Sequence, residues 1–176
     1  MHQARHCELC DHQTVTLKEG TICELTDRKP DFHRTCLNIS LNRKFEDKLK
    51  LANVQYQKVL KTKVWTYAYF TTFLVLSIMV MGGAAYFAYY LFNLTDRVGV
   101  VSVAPVVIFA IGVALLSMAF GARNKYRQDL AAALHNKEKI DQVLVLYNID
   151  YQIDMKFGKN YHGTQDVYVD VKFKGR

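Results

Sequence analysis

Residues 64–92 read VWTYAYFTTFLVLSIMVMGGAAYFAYYLF, and residues 98–122 read VGVVSVAPVVIFAIGVALLSMAFGA. Neither stretch contains Asp, Glu, Lys, Arg or His. Each exceeds the roughly 20 apolar residues that an α-helix needs to cross the hydrocarbon core of a bilayer. Only Asn93–Arg97 separates them. The sequence therefore predicts a two-helix transmembrane hairpin, with spans at Val64–Phe92 and Val98–Ala122.

The remainder of the 176-residue chain is polar, so the mean hydropathy of the whole chain does not reveal these two runs. A soluble protein with two apolar core helices is disfavoured, because so few other residues could not cover that much apolar surface. The first sixty residues also lack the short apolar core of a secretory signal. We therefore expect both termini to remain in the mature chain, with residues 64–92 as the first inserted segment.

Basic residues flank the two runs on their outer sides. Those before the first run are Arg43, Lys44, Lys48, Lys50, Lys58, Lys61 and Lys63, and those after the second are Arg123, Lys125, Arg127, Lys137 and Lys139. The connector carries only Arg97, next to Asp96. The positive-inside rule then predicts cytoplasmic termini and an external connector. We expect a plasma membrane or a bacterial inner membrane.

All four cysteines lie near the N-terminus. They are Cys7, Cys10, Cys23 and Cys36. In a reducing cytoplasm a disulfide framework is disfavoured, whereas a Cys-x-x-Cys pair with two further thiols matches tetrahedral zinc. The wide spacing of the second two cysteines leaves His6, His12 and His33 as alternative fourth ligands, and iron–sulfur or redox chemistry as alternative uses. We predict a structural, zinc-ribbon-like cytoplasmic module over residues 1–40.

No pattern in the chain favours an enzyme. The spacing of Arg28 and His33 occurs in HEPN-type ribonucleases, but Pro30 lies between them and opposes the helix that such a site requires. A glycine-rich phosphate loop, an acid pair in a recognisable setting and a Ser/His/Asp arrangement are all missing from the sequence. We expect no catalytic residues, and nucleic acid is not an expected partner because most of the basic excess adjoins the apolar runs.

Small residues recur within both apolar runs. They are Gly82, Gly83, Ala84 and Ala88 in the first, and Ala110, Ala114, Ser117 and Gly121 in the second. Such patches let membrane helices approach closely, either within one chain or between chains. Pro105 is expected to tilt or kink the second helix. The runs contain no ionisable side chain, and this argues against a proton relay or a voltage sensor.

The periodicity outside the apolar runs changes along the chain. Apolar residues recur at helical spacing from Leu41 to Lys63, so residues 41–122 are expected to hold a juxtamembrane helix that continues into the two spans. Residues 123–176 begin helically and then alternate with period two in 149–157 and 167–174, which predicts a cytoplasmic helix and a β-hairpin. Gly158, Asn160 and Gly163 are expected to form its turn.

These elements together predict an α+β integral membrane protein. An isolated two-stranded hairpin is marginal in water and leaves its edges open, which favours strand pairing between subunits of a homo-oligomer. We expect an assembly that forms a pore or perturbs the bilayer under control of its cytoplasmic parts. The alternative is a membrane-anchored adaptor that recruits a soluble protein. Small two-span proteins also act as anti-phage defence effectors, an analogy of architecture alone.

Overall fold

The computed structural model describes residues 2–95, 103–161 and 164–174, and within these ranges the protein has an α+β fold with two long apolar helices and a C-terminal β-hairpin. Its elements are α1 (His2–Leu9), β1 (Gln13–Thr16), β2 (Gly20–Cys23), α2 (Arg43–Thr95), α3 (Ala104–Leu146), β3 (Asp150–Tyr161) and β4 (Thr164–Lys174). Two antiparallel pairs, β1–β2 and β3–β4, form separate two-stranded sheets.

Helix α2 confirms that the amphipathic segment continues into the first apolar run. Asn42, a favoured N-cap residue, precedes the helix, and its carbonyl accepts the first helical N–H bond from Glu46 at 3.1 Å. The helix is 53 residues long, or about 80 Å at the α-helical rise. It ends at Thr95 and therefore includes three residues predicted as connector, whereas Asp96 and Arg97 lie outside the described residues.

Helix α3 begins later than the second apolar run. Its first residue is Ala104, so Pro105 lies in the first turn, where the missing N–H costs no helical hydrogen bond. The prediction that Pro105 lies one or two turns inside the helix and kinks it is wrong for this reason. The start of the predicted span at Val98 lies outside the described residues.

A Schellman motif ends α3. Asn148 adopts a left-handed conformation with φ of 55°. Its N–H donates to the carbonyl of Val145, and the N–H of Ile149 donates to that of Leu144, both at 3.1 Å. The chain reverses at this point and enters β3 directly.

The β3–β4 hairpin confirms the period-two prediction but is longer than expected. Residues 150–157 pair in continuous register with 167–174. A register shift follows Phe157, and Gly158 therefore lies in a bulge within β3 and not in the turn. A Cβ at Gly158 would lie 3.3 Å from the carbonyl oxygen of Asp166. Asn160 also belongs to β3, and Gly163 lies outside the described residues.

The chain divides into two compact units. Unit 1 comprises Met1–Lys58 with Ala131–Arg176, and unit 2 comprises Val59–Leu130. The core of unit 1 consists of six buried apolar side chains: Leu9, Leu41, Phe45, Leu49, Val143 and Leu144. Half-buried residues from the base of the hairpin pack against it, with the rings of Phe45 and Phe173 5.7 Å apart. The amphipathic stripe of α2 is thus covered within the chain.

Tyr151 connects the hairpin to both long helices inside unit 1. Its hydroxyl donates to Asp141 Oδ1 at 2.6 Å, and the other carboxylate oxygen of Asp141 binds Lys137 at 2.6 Å. Asn53 on α2, which is 5% exposed, donates to the same hydroxyl at 3.5 Å. Burial, with a smaller contribution from the Asp141 carboxylate, raises the pKa of Tyr151. The phenol therefore remains a neutral donor.

Replacing Tyr151→Phe is expected to lower the free energy of opening of the hairpin by about 1–2 kcal/mol, because Asp141 and Asn53 lose a partner. The measurement is amide hydrogen exchange of β3 and β4 in the detergent-solubilised protein. Tyr168→Phe is the matched control, since Tyr168 is 71% exposed on the opposite face of the same hairpin. Equal effects of the two substitutions would show that the Tyr151 network contributes nothing specific.

Candidate functional site

All four cysteines line one small cavity in unit 1. Cys7 lies in α1, Cys10 directly follows it, Cys23 ends β2, and Cys36 lies in the loop before α2. The cavity has a volume of about 20 Å³, which suffices for a single water or ion. All four are free thiols, with Cys7 and Cys10 buried. The folded chain therefore brings together side chains that are separated by up to 29 positions in sequence.

The β1–β2 hairpin positions Cys23 at this cavity. Gly20 opens β2 with φ of 80°, a left-handed conformation that glycine adopts without strain. At the other end of β2, the N–H of Glu24 donates to the carbonyl of His12 at 2.8 Å. These strands were not predicted, because each has only four residues. The β-branched residues at 14–16 and 21–22 are the only sequence signals for them.

Backbone and phenol groups hold the remaining cysteines. Cys10 Sγ accepts the N–H of Ser40 at 3.4 Å. The N–H of Cys36 donates to the hydroxyl of Tyr147 at 2.8 Å, and that hydroxyl also contacts Nδ1 of the buried His6 at 3.0 Å. Tyr147 follows the last residue of α3, so the end of this helix fixes the loop that carries Cys36. Sequence analysis missed Tyr147 because it lies 111 residues from Cys36.

Electrostatics in the cavity favour a protonated Cys7 thiol. Burial, followed by repulsion from Cys10, Cys23 and Cys36, raises the pKa of Cys7 to about 11. Burial also raises the pKa of Tyr147. A cation at the centre would reverse the preference of Cys7 for the neutral form, because metal binding requires thiolates and releases their protons.

The side chains around the cavity are nevertheless too far apart to coordinate a metal ion together. Across residues 2–95, 103–161 and 164–174, no three His, Cys, Asp or Glu side chains come close enough together to hold a metal ion. The cysteines share a cavity without forming a compact cluster. Because zinc–sulfur bonds are only about 2.3 Å long, the sulfur atoms would have to move inward to bind an ion. Of the alternative ligands, His6 and His12 line the cavity, whereas His33 is exposed and does not.

Unit 2 consists of the apolar parts of α2 and α3. Both helices are long and apolar enough to cross a membrane, and only 11% of the most apolar window of each is buried. A core helix of a soluble protein meets the same criteria of length and composition but is mostly buried. Large apolar side chains such as Ile78, Met79 and Val106 are more than half exposed. Water is a poor solvent for such a surface.

Cross-contacts in unit 2 make the two helices an antiparallel pair. Going up α2, Tyr67 meets Tyr126, Phe70 meets Phe120, and Ser77 meets Gly112. Ser77 is fully buried and donates to the carbonyl of Gly112 at 2.9 Å. A Cβ at Gly112 would lie 2.4 Å from Met81 Cγ and 3.3 Å from the Met81 backbone nitrogen. Gly112 is therefore a point of close helix approach.

The predicted small-residue patches do not form this contact. Ala84 is the one member of the eight that is buried, at 2% exposure. The exposed members are Gly82, Gly83, Ala88, Ala110, Ala114, Ser117 and Gly121. A Cβ added at any of these three glycines would meet nothing within 4 Å among the described residues. Sequence analysis missed Gly112 and Ser77, which form the close contact between the helices.

Hydroxyl groups in the apolar helices bond mainly to their own backbone. Thr71 donates to the carbonyls of Tyr67 and Ala68, and Thr72 donates to Ala68. Ser77 is used between the helices, as described above. Among the described residues, these groups therefore form no continuous polar face within one chain.

The exposed face of the β3–β4 hairpin carries an unfavourable charge pair. Asp154 and Asp170 are direct cross-strand partners, and both are exposed. Like charges at such positions destabilise a hairpin by a few tenths of a kcal/mol. On the other face, Met155, Phe157, Val167 and Val169 are half-buried but lie outside the core cluster of unit 1. Among the described residues, the far half of the hairpin therefore adds nothing to the core cluster of unit 1.

The helix contact predicts a difference between two glycines of α3. Gly112→Val is expected to destabilise the helix pair by about 1–3 kcal/mol through overpacking against Met81, whereas Gly121→Val meets open space. Both substitutions change helix propensity equally. The measurement is resistance to sodium dodecyl sulfate in mixed micelles, followed by circular dichroism. Equal losses of resistance would contradict the proposed role of Gly112.

Comparison of the chain with protein-family models, with curated proteins and with solved structures gives no match.

Proposed function

We propose that the protein is a homo-oligomeric integral membrane protein that forms a pore or perturbs the bilayer under control of its cytoplasmic unit. The observation that carries the proposal is the exposed apolar surface of α2 and α3. Only 11% of the most apolar window of each helix is buried. A bilayer provides the solvent that this surface requires, and backbone groups in the interior of each helix are already paired within it. The basic residues on the outer sides of both runs support cytoplasmic termini.

Two exposed surfaces, one in each unit, support an oligomer. The exposed small residues of unit 2 offer neighbouring helices a close approach, as in membrane helix dimers. In unit 1, β3 and β4 pair with each other, and within the described ranges their outer edges pair with no other strand. Strand addition from a second copy would use these N–H and C=O groups and cover the far half of the hairpin. One kind of partner, another copy of this chain, meets both needs.

The hydrogen bonds of the hydroxyl groups in α2 indicate which kind of lining a pore would have. Because Thr71, Thr72 and Ser77 are engaged in backbone hydrogen bonds, they offer little lining for a permanently wet channel. A constriction lined by apolar side chains, which gates by dewetting, suits this composition better. Perturbation of the bilayer by the same helices requires no lining at all.

Zinc is the cofactor that we propose for the cysteine cavity, whose side chains would move inward to bind it. Four thiols from separate elements surround a volume that suits one ion, and a backbone N–H already points at Cys10 Sγ. Thiolate sulfur is a preferred ligand of zinc, and four protein ligands leave no open position for catalysis. The metal would then be structural, holding α1, the β1–β2 hairpin and the Cys36 loop together. This role fits a protein without enzymatic activity.

A membrane-anchored adaptor is the second candidate function. It is favoured by the exposed apolar side chains of the N-terminal segment: Val15, Leu17, Leu25 and Leu37. Exposed large apolar residues on a small polar module are typical of a surface that binds a soluble protein. An adaptor needs neither a pore nor several subunits, so the subunit number distinguishes it from the first proposal.

The zinc proposal predicts one zinc ion per chain and its loss in Cys10→Ser. The same variant is expected to exchange the amide hydrogens of α1 and β2 faster, because the metal no longer ties them together. Metal content is measured by elemental mass spectrometry on protein purified without chelator. His33→Ser is the control, since His33 lies outside the cavity. Protein that contains no metal, or a His33→Ser variant that loses it equally, would contradict the proposal.

The oligomer proposal predicts several subunits in native mass spectrometry and dye release from liposomes containing the protein. Ala114→Leu is expected to reduce the subunit number and to slow dye release by about tenfold, because the added side chain overpacks a small-residue surface. Val113→Leu is the matched control on the adjacent position, where a large side chain already stands 46% exposed. A strictly monomeric protein that leaves liposomes intact would remove the pore proposal and leave the adaptor.

A further inference from the structure

A second cavity in unit 1 lies apart from the cysteines. It has a volume of about 260 Å³ and is bordered by α1, α2 and α3. This is close to the lower end of ligand-binding pockets, which begin at about 300 Å³, so a small organic molecule fits it better than a metal ion. Ten residues line it: three cations, one carboxylate, two amides and four apolar residues.

The cationic part has unsatisfied charge. Arg5, Lys48 and Lys139 line the cavity with a single carboxylate, that of Glu8. Glu8 is already committed, since its Oε1 accepts from Lys48 Nζ at 3.0 Å. Arg5 makes one long bond of 3.5 Å to the neutral amide of Gln142. Within the described residues, neither Arg5 nor Lys139 has a carboxylate partner, which leaves two cations available to an anion.

The apolar part provides a hydrophobic surface in the same cavity as these cations. Leu9 and Ala52 are buried at 4% and 6% exposure, whereas Leu51 remains 58% exposed. The amide side chains of Gln55 and Asn136 also line the cavity and can donate or accept hydrogen bonds. A mixed lining of this kind recognises an anion that carries an apolar body.

We infer that this cavity binds a phosphate-bearing molecule with an apolar body, its phosphate held by Arg5 and Lys139 and its body placed against Leu9, Leu51 and Ala52. The guanidinium fork of Arg5 matches phosphate oxygens, and Lys139 adds a compact point charge. A free nucleotide and a lipid headgroup share this chemistry. The inference does not depend on pore formation, because it concerns binding alone.

Equilibrium dialysis of radiolabelled ADP against the full-length protein in dodecyl maltoside micelles, which carry no phosphate, tests the site. Saturable binding is expected. Unlabelled ADP should displace the label and adenosine should not, since adenosine lacks the phosphates. Dihexanoyl phosphatidylglycerol as a further competitor distinguishes the source: displacement at lower concentration than ADP assigns a lipid headgroup, and weaker displacement assigns a soluble phosphate compound.

Three substitutions make the test specific. Arg5→Gln and Lys139→Gln should each weaken ADP binding by about tenfold, because each removes a charged hydrogen-bond donor. Glu8→Gln should strengthen it by at least about threefold, because it removes the one carboxylate and releases Lys48. A damaged fold cannot produce that opposite sign. Lys172→Gln, an exposed change of the same kind on β4, should leave binding unaltered.

Several results would overturn the inference. They are the absence of saturable binding that either ADP or the short-chain lipid displaces, displacement by adenosine as effective as by ADP, weaker binding in Glu8→Gln, and equal losses in Lys172→Gln and Arg5→Gln.

Discussion

The buried contact between Phe45, Leu49 and Leu144 is the interaction on which unit 1 depends. These three side chains are 1% exposed and join α2 to the end of α3. Leu9 brings α1 into the same cluster, and the base of the hairpin covers it. The two cavities described above are bordered by elements that this cluster positions. Cys10 follows Leu9 directly, and Leu9 itself lines the larger cavity. Loss of the cluster would therefore disorganise two candidate sites at once.

Patterns that repeat along the chain were predictable, and single contacts were not. The apolar runs, the amphipathic start of α2 and the alternation of the C-terminal strands each depend on local periodicity, and each is present in the structure. The position of Gly158 in a bulge depends on its close approach to Asp166 across the hairpin. Such a contact between strands leaves no signal in spacing. The short β1–β2 pair was missed because four residues are too few to establish a period.

The candidate sites show the same division. Residue type and compartment identified the four cysteines, and the fold places all of them at one cavity. The Tyr147 hydroxyl that fixes the Cys36 loop, and the cations that gather at Arg5 and Lys139, come from opposite ends of the chain. In unit 2, small residues suggested where helices approach, but the close contact at Gly112 depends on the rotation of two helices about their axes. Composition does not determine that rotation.

The two units of the chain are incomplete in related ways. The described parts of unit 2 pair their backbone groups within helices and leave an apolar surface that lipid or another apolar helix can cover favourably. Unit 1 covers its apolar stripe and the base of its hairpin, yet among the described residues the outer edges of β3 and β4 pair with no other strand, and strand edges require directional partners. Lipid satisfies the first need but not the second, and a soluble protein satisfies the second but not the first. A second copy inserted in the same bilayer satisfies both, which is why we favour a homo-oligomer over an adaptor.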